Sequence, residues 1–302
     1  MSNSEVKDCE NKRILDFIRA RYLKTDKVKM GKIIAIFNMS GGVGKSTSTQ
    51  NLGFHLSKDF GAGVLLVDCD PQGSLTTFMG FSPLRYHTTI VDSFQDLSTP
   101  LFIEKEVEWC DLAPANIYLS RAEITLGGML QKELQLKKIL AKVKDEYDII
   151  LVDCLPSLGI LAINCMSAAD YLIIPIQTEY KSMEATVNLL KMTVELTQQV
   201  NPDLEVLGVI PTMFDSRLNQ HKSSLSQINE VFTMLRANPL FANTVIFDPI
   251  PRSTQFSNAS KNHVPLGEFQ PKHPAIPTLI NVAGQILNQA NVQVATKGAE
   301  NE

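Results

Sequence analysis

Six stretches of the chain are almost continuously apolar, and they set its rhythm. Residues 32–37, 63–68, 148–153, 171–175 and 206–211, with a shorter piece at 245–247, are rich in Val, Ile and Leu and show little alternation. Strands buried on both faces have this pattern, as in a parallel sheet covered by helices. Between them, apolar residues recur at helical spacing over 45–57, 129–145, 158–167, 182–199, 218–236 and 275–291. Asn201-Pro202 marks the stop of the fourth of these helices. The alternation predicts a doubly wound α/β fold, a mostly parallel sheet flanked by helices, with its ligand at the carboxyl ends of the strands.

Three parts depart from that rhythm. Residues 80–115 interrupt it and read as an insertion around the sheet edge. Residues 1–30 read as a helical extension in which Asn11 to Leu23 places Ile14, Ile18 and Tyr22 on one face and Arg13, Arg19, Arg21 and Lys24 elsewhere. Such a segment either packs on its own domain or serves as an arm for a partner or DNA. Residues 31–292 then form the main domain, and 293–302 read as a disordered tail.

The richest local chemistry follows the first apolar run. Ser40-Gly41-Gly42-Val43-Gly44-Lys45-Ser46-Thr47 sits between a strand and a helix, the context of a phosphate-binding loop. Its glycines let backbone N–H groups close around phosphate oxygens. Lys45 brings positive charge to the β- and γ-phosphates, and the Ser46 hydroxyl is placed to ligate Mg²⁺. A second apolar run ends in Asp68-Cys69-Asp70-Pro71-Gln72-Gly73. With period two, Asp68 and Asp70 point to one side, where one holds Mg²⁺ through water and the other orients an attacking water. A third run, Ile149 to Val152, delivers Asp153, the Walker B arrangement that supports a magnesium shell.

Composition narrows the class. With 302 residues and 44% hydrophobic content the chain has material for a sizeable core. The net charge of −4 carries no overall nucleic-acid signal. Locally, residues 92–111 hold Asp92, Asp96, Glu104, Glu106, Glu108 and Asp111 against Lys105, a run expected to be a solvated face. The five cysteines show no C-x-x-C spacing, which predicts a reducing cytosol without disulfides or a zinc site. No apolar run is long enough for a membrane span.

Taken together, the motifs make the chain resemble the ParA family of partition ATPases, in the deviant Walker A class, from about residue 31 to 290. Asp68 to Gly73 is similar to the family's second motif. Asp153-Cys154-Leu155-Pro156-Ser157-Leu158-Gly159 is similar to its Walker B segment, with Leu155 replacing a usual proline. Leu112 to Asn116 resembles its edge motif, and Pro175 to Tyr180, Thr212 to Arg217 and Ile250-Pro251-Arg252 are also family-like. The resemblance implies ATP and Mg²⁺ as cofactors and a face-to-face homodimer formed with ATP. It also implies non-specific DNA binding and hydrolysis stimulated by an adaptor protein, a cycle by which the ATPase would position a plasmid, chromosome or carboxysome over the nucleoid in the cytoplasm. Asp70 would prepare the water, and Met213, Asp215 and Pro251 would lie around the base. DNA contacts would fall on Lys222, Arg236, Arg252, Lys261 or Lys272, although Gln255 stands near a place where the family often has a second basic residue.

Ser40 departs from the pattern. Most of the family has a lysine there that reaches the partner subunit's ATP. A serine supplies no such charge. Lys181 is the candidate replacement, and loss of the loop lysine also resembles the carboxysome-positioning branch of the family. Rival readings are a slowly hydrolysing nucleotide switch, a MinD-like membrane-cycling ATPase and an iron–sulfur carrier. The second would need a basic amphipathic C-terminus, whereas 275–302 holds only Lys297 and ends acidic. The third would need paired exposed cysteines.

Overall fold

The computed structural model describes residues 31–105, 107–179 and 182–294. The predicted helix at 11–23, residue Lys181 and tail residues 295–302 lie outside them. The strands are β1 Lys32–Ile36, β2 Val64–Cys69, β3 Asp111–Ala113, β4 Ile149–Cys154, β5 Tyr171–Gln177, β6 Glu205–Thr212 and β7 Val245–Ile246. They form one sheet in the order β3-β2-β4-β1-β5-β6-β7, with every neighbouring pair parallel. The helices are α1 Lys45–Lys58, α2 Ser74–Phe78, α3 Ile90–Gln95, α4 Leu119–Gly127, α5 Gln135–Leu140, α6 Ile160–Ala168, α7 Ser182–Gln199, α8 Asn219–Leu235, α9 Gln255–Lys261, α10 Leu266–Phe269 and α11 Ile276–Gln289.

The core explains why the strands lack alternation. Ile33, Ala35 and Phe37 face one apolar layer, with Leu65, Val67, Ile150, Val152, Leu172 and Ile174. Ile34 and Ile36 face the opposite layer with Leu66, Leu151 and Ile173. The first layer is closed by residues such as Phe94, Leu126, Ile139, Cys165, Leu189 and Phe232. The second is closed by Leu52, Leu56, Leu266, Leu279 and Ile286. Successive side chains therefore all find apolar partners, on alternate faces.

Two expectations change. The helix expected over 129–145 is broken into two short 3₁₀ turns, Lys132–Leu134 and Lys144–Glu146, with α5 between them. Gln131 stands in the left-handed region at φ 52°, which an α-helix does not accommodate. The Asn164 side chain accepts from Leu136 N at 3.0 Å and donates to the Lys132 carbonyl at 2.8 Å, supplying local partners for the interrupted backbone. The acidic run at 92–111 is not simply a solvated face. Asp92 completes a capping box with Thr89 at the start of α3, and Glu104 is buried where Tyr86 donates to it at 3.1 Å. The interruption at 80–115 does end at the sheet edge, because β3 is the outermost strand beside β2.

Connections from β1 lead over β4 to β2, whereas connections from β4 lead over β1 to β5. The strand order reverses between β1 and β4, and a crevice opens at their carboxyl ends, where doubly wound sheets bind ligands.

Candidate functional site

The loop after β1 lies at this reversal. Gly42 and Gly44 take φ values of 74° and 89°, the left-handed region that glycine adopts without Cβ strain. Among the described residues nothing lies within 4 Å of a Cβ built on Gly41 or Gly42, so the loop has an open side. Asn38, buried after β1, anchors the entry: its Oδ1 accepts from Ser40 N at 2.9 Å and its Nδ2 donates to the Pro175 carbonyl at 2.7 Å. On the exit side, Thr212 Oγ1 donates to the Val43 carbonyl at 2.9 Å, tying the loop to β6. Lys45 folds back over the loop and donates to the Ser40 carbonyl at 2.8 Å. Burial lowers the Lys45 pKa, opposed by the nearby Asp153 and Asp70 carboxylates.

Asp68 and Asp153 face each other across the ladder, in register on β2 and β4. Both are fully buried. Asp68 is saturated: Oδ2 accepts from Thr76 N at 2.8 Å and Thr76 Oγ1 at 2.7 Å, and Oδ1 accepts from Asp70 N at 3.1 Å. Burial still raises its pKa to about 6, with those bonds pulling the other way. Asp153 differs, since among the described residues no donor reaches good hydrogen-bonding geometry with either carboxylate oxygen. Its pKa is pushed well up by burial and by the neighbouring Asp68, restrained by Ser46 and Lys45. An unpartnered buried carboxylate beside a hydroxyl is a fitting support for a hard cation with oxygen ligands. Asp70, half-buried, accepts from Gln72 N at 2.9 Å through Oδ1.

A cleft of about 750 Å³ runs from the loop toward α9. Gly44, Thr47, Met213 and Pro251, four of the nucleotide-site candidates, are among its lining residues, together with Asn51 and Phe256. Met213 adopts φ 55°, while Phe214 N donates to the Ile250 carbonyl at 3.0 Å and Arg252 N to the Phe214 carbonyl at 2.9 Å. These bonds hold the segments 213–214 and 250–252 side by side as one wall. Asp215 is not among the residues lining the cleft; Arg217 grips its carboxylate through two bonds of 2.9 and 2.7 Å and holds it below the usual carboxylate range. Asp215 N donates to the buried His221 Nδ1 at 2.9 Å.

Four of the five basic candidates fall into two groups, and the fifth, Lys272, is exposed between α10 and α11. Arg252 and Lys261 are exposed on the rim of this cleft. Lys222 lies on α8 and Arg236 caps it, both exposed. Their separation is close to four helical turns, so they share one side of the helix. Asn38, Thr76 and His221 are site-building residues that the motifs alone do not reveal; Asn38, a polar residue directly after a buried strand, is the one with a visible signal.

A glycine loop opening onto the amino end of a helix at the reversal of a parallel sheet defines a P-loop nucleotide-binding protein. Residues 31–206 match the AAA_31 family model, described as an AAA domain. The sporulation initiation inhibitor protein Soj of Bacillus subtilis is 37% identical over 260 residues, covering 85% of this chain and 98% of Soj. Among solved structures, the cobyrinic acid a,c-diamide synthase of Mycobacterium smegmatis with ADP and magnesium aligns with a TM-score of 0.66 at 32% identity, covering 77% of this chain and 92% of that one. Apo McdA of Cyanothece aligns with a TM-score of 0.73 at 25% identity, covering 85% and 99%. The chain belongs to the ParA family of partition ATPases. It is an ATPase whose cofactors are ATP and Mg²⁺.

Proposed function

We propose that this ATPase dimerises face to face around ATP, binds DNA without sequence preference as a dimer, and positions a cargo over the nucleoid in the cytoplasm. An adaptor protein stimulates hydrolysis and resets the cycle. The observation that carries the reading is the open side of the phosphate loop: Gly41 and Gly42 are exposed, with no atom of the described residues within 4 Å of their Cβ positions. A second copy closing over that side would exclude water and strengthen every charge interaction inside. Ile117 and Tyr118, 52% and 51% exposed just beyond β3, add apolar surface near the same end of the sheet.

In this reading Lys45 binds phosphate, Gly41 to Thr47 cradle it, and Ser46 with Asp153 supports Mg²⁺, with Asp68 behind them. Asp70 orients the water. Met213 and Pro251 hold the base, with Asp215 fixing the wall beside them. Lys181 supplies the cation that Ser40 lacks. It comes after β5, the strand next to β1, whose Pro175 carbonyl already holds the loop through Asn38, so the chain leaves the sheet beside the nucleotide. Lys222, Arg236, Arg252 and Lys261 supply positive charge toward DNA. The cargo is a chromosome or plasmid, in keeping with the identity to Soj. A carboxysome is the second reading, carried by Ser40 and by the likeness to McdA.

The test is DNA retention with and without ATP across a salt series, alongside sizing chromatography of Lys181→Ala. Retention only with ATP that falls steeply with salt is expected, and the variant should bind ATP as a monomer without dimerising. Retention independent of ATP, or normal dimerisation of the variant, would contradict the reading.

A further inference from the structure

A second cleft, of about 570 Å³, lies at the opposite end of the sheet, below the amino ends of β2, β3 and β4. Val107, Glu108, Trp109, Glu146, Asp148 and Val294 are among its lining residues. Trp109 is the only tryptophan in the chain. One side of its ring meets Phe54 edge-on at 5.4 Å between centroids, yet the residue remains only half-buried. A half-covered Trp flanked by exposed Glu108 and Glu146 is an amphipathic surface suited to an apolar, basic segment.

Both ends of the described chain arrive here. Val294 lines the cleft, and Gly31 packs so closely on the Lys144 and Tyr147 carbonyls that an added Cβ would lie 2.1 and 2.6 Å from their oxygens. Charge separates the two candidate occupants. Residues 295–302 carry Lys297 against Glu300 and Glu302 and offer no large apolar side chain. Residues 1–29 carry eight basic side chains against five acidic, with Ile14, Ile18 and Tyr22 at helical spacing. Reach is sufficient: the seven residues 24–30 span up to about 23 Å, and a helix over 11–23 would be about 20 Å long.

We propose that the segment Asn11–Leu23 docks by its Ile14, Ile18 and Tyr22 face in the cleft beside Trp109, with its arginines turned toward Glu108 and Glu146. The extension is then a fixture of the domain's far end, away from the nucleotide loop, and not a free arm. The test uses the full chain with Ile14→Asp and Ile18→Asp, reading Trp109 fluorescence. Docking predicts a red shift and an acrylamide quenching constant raised about twofold or more as the ring meets water, with helix content otherwise kept. In a second full-length variant, Glu108→Lys, amide exchange over residues 11–23 should quicken. An unchanged Trp109 signal in the first variant, or unchanged exchange in the second, would overturn the proposal.

Discussion

Two corners of the candidate site share one sequence and differ in state. Val67-Asp68-Cys69 ends β2, Val152-Asp153-Cys154 ends β4, and the three pairs lie directly across the ladder from each other. Both aspartates are fully buried. Asp68 has three hydrogen bonds, two of them from Thr76, whereas among the described residues no donor is well aligned on either oxygen of Asp153, the Ser46 hydroxyl lying near enough only to restrain its pKa. The difference lies in the turn after each strand. Beyond β2 the chain turns through Gly73, at φ 61°, into α2, which returns Thr76 to Asp68. Beyond β4 it runs through Leu155, Pro156 and Ser157 to Gly159 before α6 begins. No donor from that segment reaches Asp153. A saturated carboxylate fixes a corner of the fold; an unsatisfied one keeps its capacity for a ligand.

The contrast can be broken at several points. The largest effect is expected from Lys45→Ala, which removes the buried cation facing Asp153: turnover should fall by about 10²–10³-fold, measured by phosphate release. Asp70→Ala should lower turnover by about 10²-fold or more and trap an ATP-bound dimer on a sizing column; normal turnover would refute its assignment to the water. Thr76→Val acts on the saturated corner alone. It strips one bond from Asp68 and leaves Ala115 N, which donates to Thr76 Oγ1 at 3.0 Å, without a partner. Unfolding stability should fall by about 2–3 kcal/mol in a denaturant titration, with Mg²⁺ affinity for the nucleotide complex nearly unchanged.

Much of this was legible in the sequence because buried parallel strands advertise themselves. Ile33 to Phe37 and Ile149 to Val152 are apolar at every position, and their ends place Gly42, Lys45 and Asp153 without further information. The features that escaped were short or set by distant contacts. β3 has three residues, one of them Asp111, and α2 has five, too few to show a period. The apolar spacing over 129–145 suggested one helix, yet Leu130 is 92% exposed and Gln131 turns left-handed. The pairing of Asp68 with Thr76 is also invisible, since nothing in the spacing distinguishes Asp68 from Asp153 until the turn after each strand is seen.

The measurement that bears most directly on the central claim is the Mg²⁺ dependence of ATP binding in Asp153→Asn beside Asp68→Asn. The account predicts that Asp153→Asn raises the Mg²⁺ requirement by about 10-fold or more while stability is nearly kept, because burial already disfavours the charged form of Asp153 and the amide preserves its shape. Asp68→Asn should instead lose stability and keep its Mg²⁺ midpoint. An unchanged midpoint in Asp153→Asn, with the shift found in Asp68→Asn, would contradict it.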